Sequence, residues 1–242
     1  MPLDEDSRHL LAILTPPDAP PMHQVNIHVL RDAMESRFPD REREPVASVV
    51  DRVVVGPHGD VPVRLYRPEL TGMPPVLVYF HGGGWVLGSL ETHDAICRAL
   101  ANKAQCVVIA VDYRLAPEHP FPQGLQDCQA VVRWVQDSAV EIGVDGDRVA
   151  VGGDSAGGNL AAAVANSNRD ENVKPLCHQL LIYPVIDAEQ ATESYRENAE
   201  GFLLTALGMK MFWELYLGRA SAGDSELASP ARVSDLSGLP TA

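Results

Sequence analysis

The sequence predicts an α/β fold, with a mostly parallel central sheet and helices on both of its faces. Short apolar runs at residues 75–80 and 106–111 have the length and composition of buried strands. Between them, residues 92–104 have helical spacing. This alternation of strand and helix indicates right-handed crossovers and a parallel sheet. A length of 242 residues suits one domain of this kind.

Composition restricts the classes of function. The net charge is −14 and the pI is about 4.9, which argues against nucleic-acid and anionic-membrane partners. No apolar run is long enough to span a bilayer, and residues 1–14 lack the basic region of a signal peptide. The cysteines, at positions 97, 106, 128 and 177, lie in apolar contexts without C-x-x-C spacing. They predict buried thiols of a cytoplasmic protein.

The elements that precede the parallel strands follow from apolar spacing and turn residues. Residues 4–38 predict two helices, separated by two proline pairs. Residues 46–55 and 61–66 predict two strands of a hairpin, joined across a glycine-rich turn. Because the helices precede the first strand, we expect them to be an appendage to the sheet.

The later elements are predicted in the same way. Residues 92–104 predict a helix with Thr92 as its N-cap, residues 125–140 a second helix, and residues 179–184 a buried strand. Residues 189–218 again have helical spacing, but no strand follows them at once. We interpret this segment as an insertion that pairs with the N-terminal helices as a lid; a surface helix packed on the sheet is the alternative.

Residues 148–158, with the sequence RVAVGGDSAGG, predict a strand, a tight turn and the start of a helix. The turn matches G-x-S-x-G, the pattern that holds a nucleophilic serine, here Ser155, at a strained strand-to-helix junction. Gly153 and Gly157 fit because such a turn leaves no room for a Cβ. The helix N-terminus then directs N–H groups to developing negative charge. A phosphate cradle is the alternative, but the sequence motifs of phosphate-binding loops are absent.

A second motif, His81-Gly-Gly-Gly-Trp85, directly follows the strand at residues 75–80. Successive glycines leave backbone N–H groups uncovered, and a loop of this type forms half of an oxyanion hole in lipases and esterases. A simple flexible loop is the alternative. Chance coincidence of both motifs, each after a strand and in the right order, is on the order of one in thousands.

Together, HGGGW, DYRLAPEHPFP, GDSAGGNLAAAV, LLIYP and ENAEGFLLT resemble the hormone-sensitive-lipase family of carboxylesterases, in its bacterial branch. The resemblance extends over essentially the whole chain and implies an α/β-hydrolase fold with a helical cap. It implies that Ser155 is the nucleophile and that Gly83, Gly84 and Ala156 donate backbone N–H groups to the oxyanion. His81 is then implied to brace its loop. We expect His81 and Asp154 to be the supporting residues of the site.

The domain organisation expected from this resemblance is a single domain over residues 1–242, incomplete at its C-terminus. Residues 46–187 are expected to form the sheet core with the serine turn. Residues 1–45 and 188–220 are expected to be cap segments, and the C-terminal strands of the fold are expected to be absent.

The acid and the base of the reaction are not found in this sequence. In this fold they follow the serine, the acid first and the histidine later. His178 is the only histidine after Ser155, while Asp170 and Glu171 lie at the end of the helix that follows Ser155. The family acid follows a loop like LSGLPTA, with which this chain ends. We therefore expect both groups beyond residue 242, with His178 as the weaker alternative for the base.

Two explanations of this ending remain open: a fragment of an ordinary esterase, which we favour, or a truncated form that has lost its base. On its own, residues 1–242 would then be weakly active or inactive. The strand at residues 179–184 would become an open sheet edge, which favours aggregation or pairing in a homo-oligomer.

The resemblance implies a carboxylesterase that hydrolyses short- to medium-chain esters through an acyl-enzyme, with a small-molecule ester as its partner. No cofactor or metal is expected, because His93 and His119 share no ligand-like spacing. One alternative is a small-molecule-binding module that keeps the fold without the base. Another is an amide hydrolase that uses the same residues.

Overall fold

Within the described residues, six strands form one sheet in the computed structural model of the chain. The described residues are 3–16, 18–36, 43–171, 173–218 and 222–242. The strands are β1 (Ser48–Gly56), β2 (Gly59–Arg67), β3 (Val76–Phe80), β4 (Val107–Val111), β5 (Val149–Asp154) and β6 (His178–Ile182), in the order β1-β2-β4-β3-β5-β6. The strands β1, β2 and β4 pair antiparallel, and β4, β3, β5 and β6 pair parallel. The predicted hairpin and mostly parallel sheet are confirmed.

Helices cover both faces of the sheet, as predicted. The strands β3 and β4 are buried along their whole length, and their side chains alternate between two apolar clusters. Val76, Val78 and Phe80 pack on the face that carries α4 (Gln123–Asp137) and α6 (Ala156–Asp170). Leu77 and Tyr79 pack on the opposite face, which carries α3 (Asp94–Ala104). The period-2 alternation of a strand therefore places apolar side chains in both clusters.

Three details differ from the sequence expectations. Thr92 does not cap α3, because its hydroxyl bonds with the backbone of Ser89 and His93 takes the N-cap position. The helix expected over residues 125–140 ends at Asp137 and is followed by the short helix α5 (Ala139–Ile142). Cys97, Cys106 and Cys128 are buried free thiols, but Cys177 is exposed, because it precedes β6 at the side of the sheet.

The segments expected to form a cap contain α1 (Glu5–Leu14), α2 (Ile27–Ser36), α7 (Glu193–Glu197) and α8 (Ala206–Leu217). Neither α1 nor α2 has a fully buried residue, and Leu10 and Ile13 of α1 are more than half exposed. By contrast, α8 buries five residues against the body of the protein. They are Gly208, Met209, Phe212, Trp213 and Tyr216. Of these helices, α8 therefore packs most closely on the body of the protein.

The outer side of β6 has a partner only near its beginning within the described residues. Thr241 lies parallel to His178, and its carbonyl oxygen accepts the N–H of Gln179 at 2.8 Å. From Leu180 to Ile182 the side chains are half-buried.

Among the described helices, none has the length and apolar character needed to cross a membrane.

Candidate active site

Ser155 lies between β5 and α6 and has φ 54° and ψ −117°. A positive φ is strained for a residue with a Cβ and persists only where the surrounding structure imposes it. Here the N–H of Ser155 donates to Ile182 on β6, and its carbonyl oxygen accepts from Val185. The turn is therefore held by the neighbouring strand and the loop that follows it.

The two glycines of the turn are required by space. A Cβ on Gly153 would collide with the carbonyl oxygen of Phe80 and with the backbone of Gly157. A Cβ on Gly157 would collide with the carbonyl oxygens of Phe80 and His81. The start of α6 is consequently packed against the end of β3 with backbone on backbone, which explains the spacing of the motif.

The HGGGW loop and the serine turn leave the same edge of the sheet side by side. The strands β3 and β5 are parallel neighbours, with Phe80 paired to Gly153. The loop then continues through three residues of positive φ, Gly83, Gly84 and Trp85. Sheet topology, rather than closeness in sequence, brings the two motifs together.

Asp154 of the serine turn also bonds with the HGGGW loop (residues 81–85, the glycine loop). Its Oδ1 accepts the N–H of Gly82 at 3.1 Å and the hydroxyl of Tyr79 at 2.7 Å, and it lies 3.3 Å from Nε2 of His93. Burial by itself raises the pKa of this carboxyl, but the bonds with His93, Tyr79 and Gly82 bring the pKa below its ordinary value. Asp154 is therefore an ionised anchor for the glycine loop.

His81 is buried at the root of this loop. Its Nδ1 lies 2.8 Å from the carbonyl oxygen of Gly82, and its ring stacks on Tyr113 at 4.3 Å between centroids. Burial, with a smaller contribution from His93, lowers the pKa of His81 to about 3. The imidazole is therefore neutral at physiological pH, and Nδ1 donates its proton to Gly82. This arrangement can hold the loop but cannot exchange a proton near neutrality.

The backbone N–H groups expected to bind an oxyanion are unengaged. Within the described part of the chain, the amides of Gly83, Gly84 and Ala156 have no hydrogen-bond acceptor. Gly83, Gly84 and Ser155 all line one cavity of about 270 Å³. Free amides beside a hydroxyl in one cavity can stabilise negative charge on an atom bound to that hydroxyl.

A second and larger cavity, of about 760 Å³, meets the first at Ser155. The two share Ser155, Val185, Leu204 and Met209 in their walls. Apolar side chains dominate the smaller cavity: Met22, Leu30, Met34, Leu87 and Phe212. The larger cavity also contains polar groups from the segment after β6, among them Asp187, Tyr195 and Asn198. Ser155 therefore lies where two cavities meet, and the larger one adds polar groups to an apolar lining.

Arg31 fastens α2 over the smaller cavity. Its guanidinium binds both carboxylate oxygens of Glu118 at 2.8 Å and also donates to the carbonyl oxygens of Val86 and Ala116. The hydrogen bonds from Arg31 lower the pKa of Glu118 to about 2. Sequence reasoning missed this clamp, because its two members are far apart in the chain and no local pattern links them.

A general base is absent from the described site. The described lining residues of the two cavities include no histidine, and Asp187 is the one carboxylate among them. His178 begins β6, whereas Ser155 bonds with Ile182 at the other end of that strand. Four residues of strand separate them by about 13 Å. His178 therefore lies too far away to be the substitute base.

Comparison with known proteins decides the family. A family model described as the alpha/beta hydrolase fold matches residues 77–242. The chain belongs to this α/β-hydrolase family. Over 187 residues, which make up 76% of this chain, it is 46% identical to carboxylesterase NlhH of Mycobacterium tuberculosis. The arylesterase of Saccharolobus solfataricus is 34% identical over 244 residues and covers 100% of this chain and 79% of its own length.

Solved structures agree with this assignment. A hyperthermophilic esterase from Pyrobaculum calidifontis superimposes with a TM-score of 0.91 at 38% identity, over 99% of this α/β-hydrolase chain and 78% of the esterase. The resemblance to carboxylesterases of the hormone-sensitive-lipase type is thereby confirmed. The chain spans 59% of the length of NlhH.

Proposed function

We propose that the protein is a serine carboxylesterase whose nucleophile is Ser155. The observation that carries the proposal is the shared cavity of Ser155 with Gly83 and Gly84, whose amides have no acceptor within the described residues. A strained serine beside free N–H groups is the arrangement required for acyl transfer. The carboxylesterase and arylesterase among the relatives support the same reaction.

In the proposed reaction, Ser155 Oγ attacks the ester carbonyl and loses its proton to an imidazole. The carbonyl oxygen becomes an oxyanion, which the N–H groups of Gly83, Gly84 and Ala156 bind. Each such donor contributes about 3–4 kcal/mol to the transition state. The imidazolium then protonates the leaving alcohol, and water hydrolyses the acyl-enzyme by the reverse sequence. Asp154 and His81 hold the glycine loop in place throughout.

The imidazole and its acidic partner are proposed to come from outside residues 1–242. Three facts support this: no histidine lines the cavities in the described residues, the fold orders its triad as serine, acid and histidine, and the chain spans 59% of the length of NlhH. His81 is unsuited to the role, because burial lowers its pKa to about 3.

The two cavities support small neutral esters as substrates. An apolar acyl chain of short to medium length suits the smaller cavity, whose wall is formed by side chains such as Leu30, Met34 and Phe212. Because these residues come from α2 and α8, we include residues 1–45 and 188–220 in the proposal as a lid. The buried free thiols support a cytoplasmic location, and the open side of β6 supports a homo-oligomer.

Labelling of the intact natural protein with a fluorophosphonate tests this proposal. The reagent reacts only with an activated serine, so mass spectrometry should locate the label on Ser155 in native and not in heat-denatured protein. The labelling rate should rise with pH through about 6.5, because an imidazole base acts in its neutral form. Ligand binding without labelling, or a label on another residue, would contradict the proposal and favour a binding module.

A further inference from the structure

The glycine loop contains a conformation that needs an external support. Gly83, Gly84 and Trp85 have φ values of 118°, 61° and 60°. Glycine adopts such values readily, but the left-handed region is unfavourable for a bulky residue like Trp85. Because the amides of Gly83 and Gly84 immediately precede Trp85, any relaxation of Trp85 would also rotate them. The support of Trp85 therefore bears directly on the proposed oxyanion site.

The support comes from one face of α8. The ring of Tyr216 stacks on Trp85 with centroids 4.2 Å apart and planes 5° from parallel. Trp213 lies against the same indole at 4.5 Å. Phe212 lies one turn before Tyr216 on α8, and its ring occupies the place where a side chain on Gly84 would lie. Trp85 is 1% exposed, so these rings enclose it.

Stacking, and not hydrogen bonding, joins α8 to the loop. The indole nitrogens of Trp85 and Trp213 and the hydroxyl of Tyr216 are buried, and none has a hydrogen-bond partner within the described residues. The contact between α8 and the loop is therefore set by the shape and overlap of the rings.

We propose that Tyr216 is a positioning residue, which holds the Gly83 and Gly84 amides in their oxyanion-binding orientation by stacking on Trp85. The inference rests on the proposed function. Tyr216 does not line either cavity that contains Ser155, so it acts through Trp85 and not through contact with substrate. In this account, α8 and the glycine loop form one structural unit.

The test compares Tyr216→Leu with Tyr216→Phe in the intact natural protein. Phe keeps the stacked ring and removes only a hydroxyl that has no partner, so Y216F should keep its kcat and its thermal stability. Leu removes the stacked ring. We expect Y216L to lower kcat by about 10- to 100-fold with KM changed by less than about two-fold, because misaligned amides weaken the transition state selectively.

Inhibition by an aryl trifluoromethyl ketone separates positioning from general damage, because this ketone forms an oxyanion on the serine. Its Ki should rise in Y216L by about the factor by which kcat falls. Phe121→Leu is the matched control: Phe121 packs edge-on against Tyr216 at 5.6 Å and has no ring contact with Trp85 among the described aromatic pairs. F121L should lower the melting temperature without changing kcat or Ki.

The outcomes are distinguishable. If Y216L does not fold, Tyr216→Met, which keeps most of the volume without a ring, takes its place with the same expected loss. A folded Y216L or Y216M with the kcat and Ki of Y216F would overturn the inference and leave the proposed function intact. An inactive wild-type protein would instead contradict the proposed function.

Discussion

Ser155→Ala should abolish ester hydrolysis by the intact protein, with a fall in kcat of about 10⁴-fold or more. Loss of a catalytic serine removes covalent catalysis altogether. The oxyanion donors and substrate binding then retain a rate enhancement of about 10³–10⁴-fold over the reaction in water. Alanine keeps the Cβ, so the strain at φ 54° remains the same and the melting temperature should change little. Hydrolysis of p-nitrophenyl acetate and butyrate gives the measurement.

Ser167→Ala is the matched control for this substitution. Ser167 is buried on the same helix, where its hydroxyl donates to the carbonyl oxygen of Ala163 at 3.0 Å. Twelve residues of α6 place it about 18 Å from Ser155. S167A should keep full activity. Hydrolysis that persists undiminished in S155A would remove Ser155 from the mechanism, whatever the fold.

Gly157→Ala should destabilise the protein by about 3 kcal/mol and remove most of its activity. Helix propensity alone gives the opposite sign, because alanine is favoured over glycine inside a helix by about 1 kcal/mol. Here the added Cβ meets the carbonyl oxygens of Phe80, the last residue of β3, and of His81, which follows it. Backbone must move to relieve the collision, and overpacking of this kind is unfavourable by about 1–3 kcal/mol or more.

Gly208→Ala tests the same substitution where space is available. Gly208 lies in the first turn of α8, and a Cβ there would meet Thr205 Oγ1 at 3.4 Å, an ordinary contact. G208A should therefore stabilise the protein by about 0.5–1 kcal/mol. Chemical denaturation of both variants measures the two signs. Equal effects of G157A and G208A would show that the close approach of α6 to β3 is not as described.

The sequence predicts the parts of this structure that depend on local pattern. Buried apolar runs identify β3, β4 and β6. The glycines at 153 and 157 indicate a turn without room for side chains, which the positions of Phe80 and His81 explain. The expectation for Thr92 was wrong because a hydroxyl can bond with a preceding turn as readily as with a helix. Local sequence does not distinguish these two uses.

Contacts between distant residues could not be predicted in this way. The clamp of Arg31 on Glu118, the bonds of Asp154 with Tyr79 and His93, and the stack of Tyr216 on Trp85 each join separate elements of the fold. Their geometry depends on the order of strands in the sheet and on the approach of α8. No periodicity or spacing in one segment records these relations.

A crystal structure of the intact protein with a phosphonate bound covalently to Ser155 tests the central claim most directly. The phosphorus should be bonded to Oγ, with the phosphonyl oxygen about 2.7–3.1 Å from the amide nitrogens of Gly83, Gly84 and Ala156. A histidine from outside residues 1–242 should lie within hydrogen-bond reach of the serine oxygen. A phosphonyl oxygen that points away from these amides, or an adduct on another residue, would contradict the account.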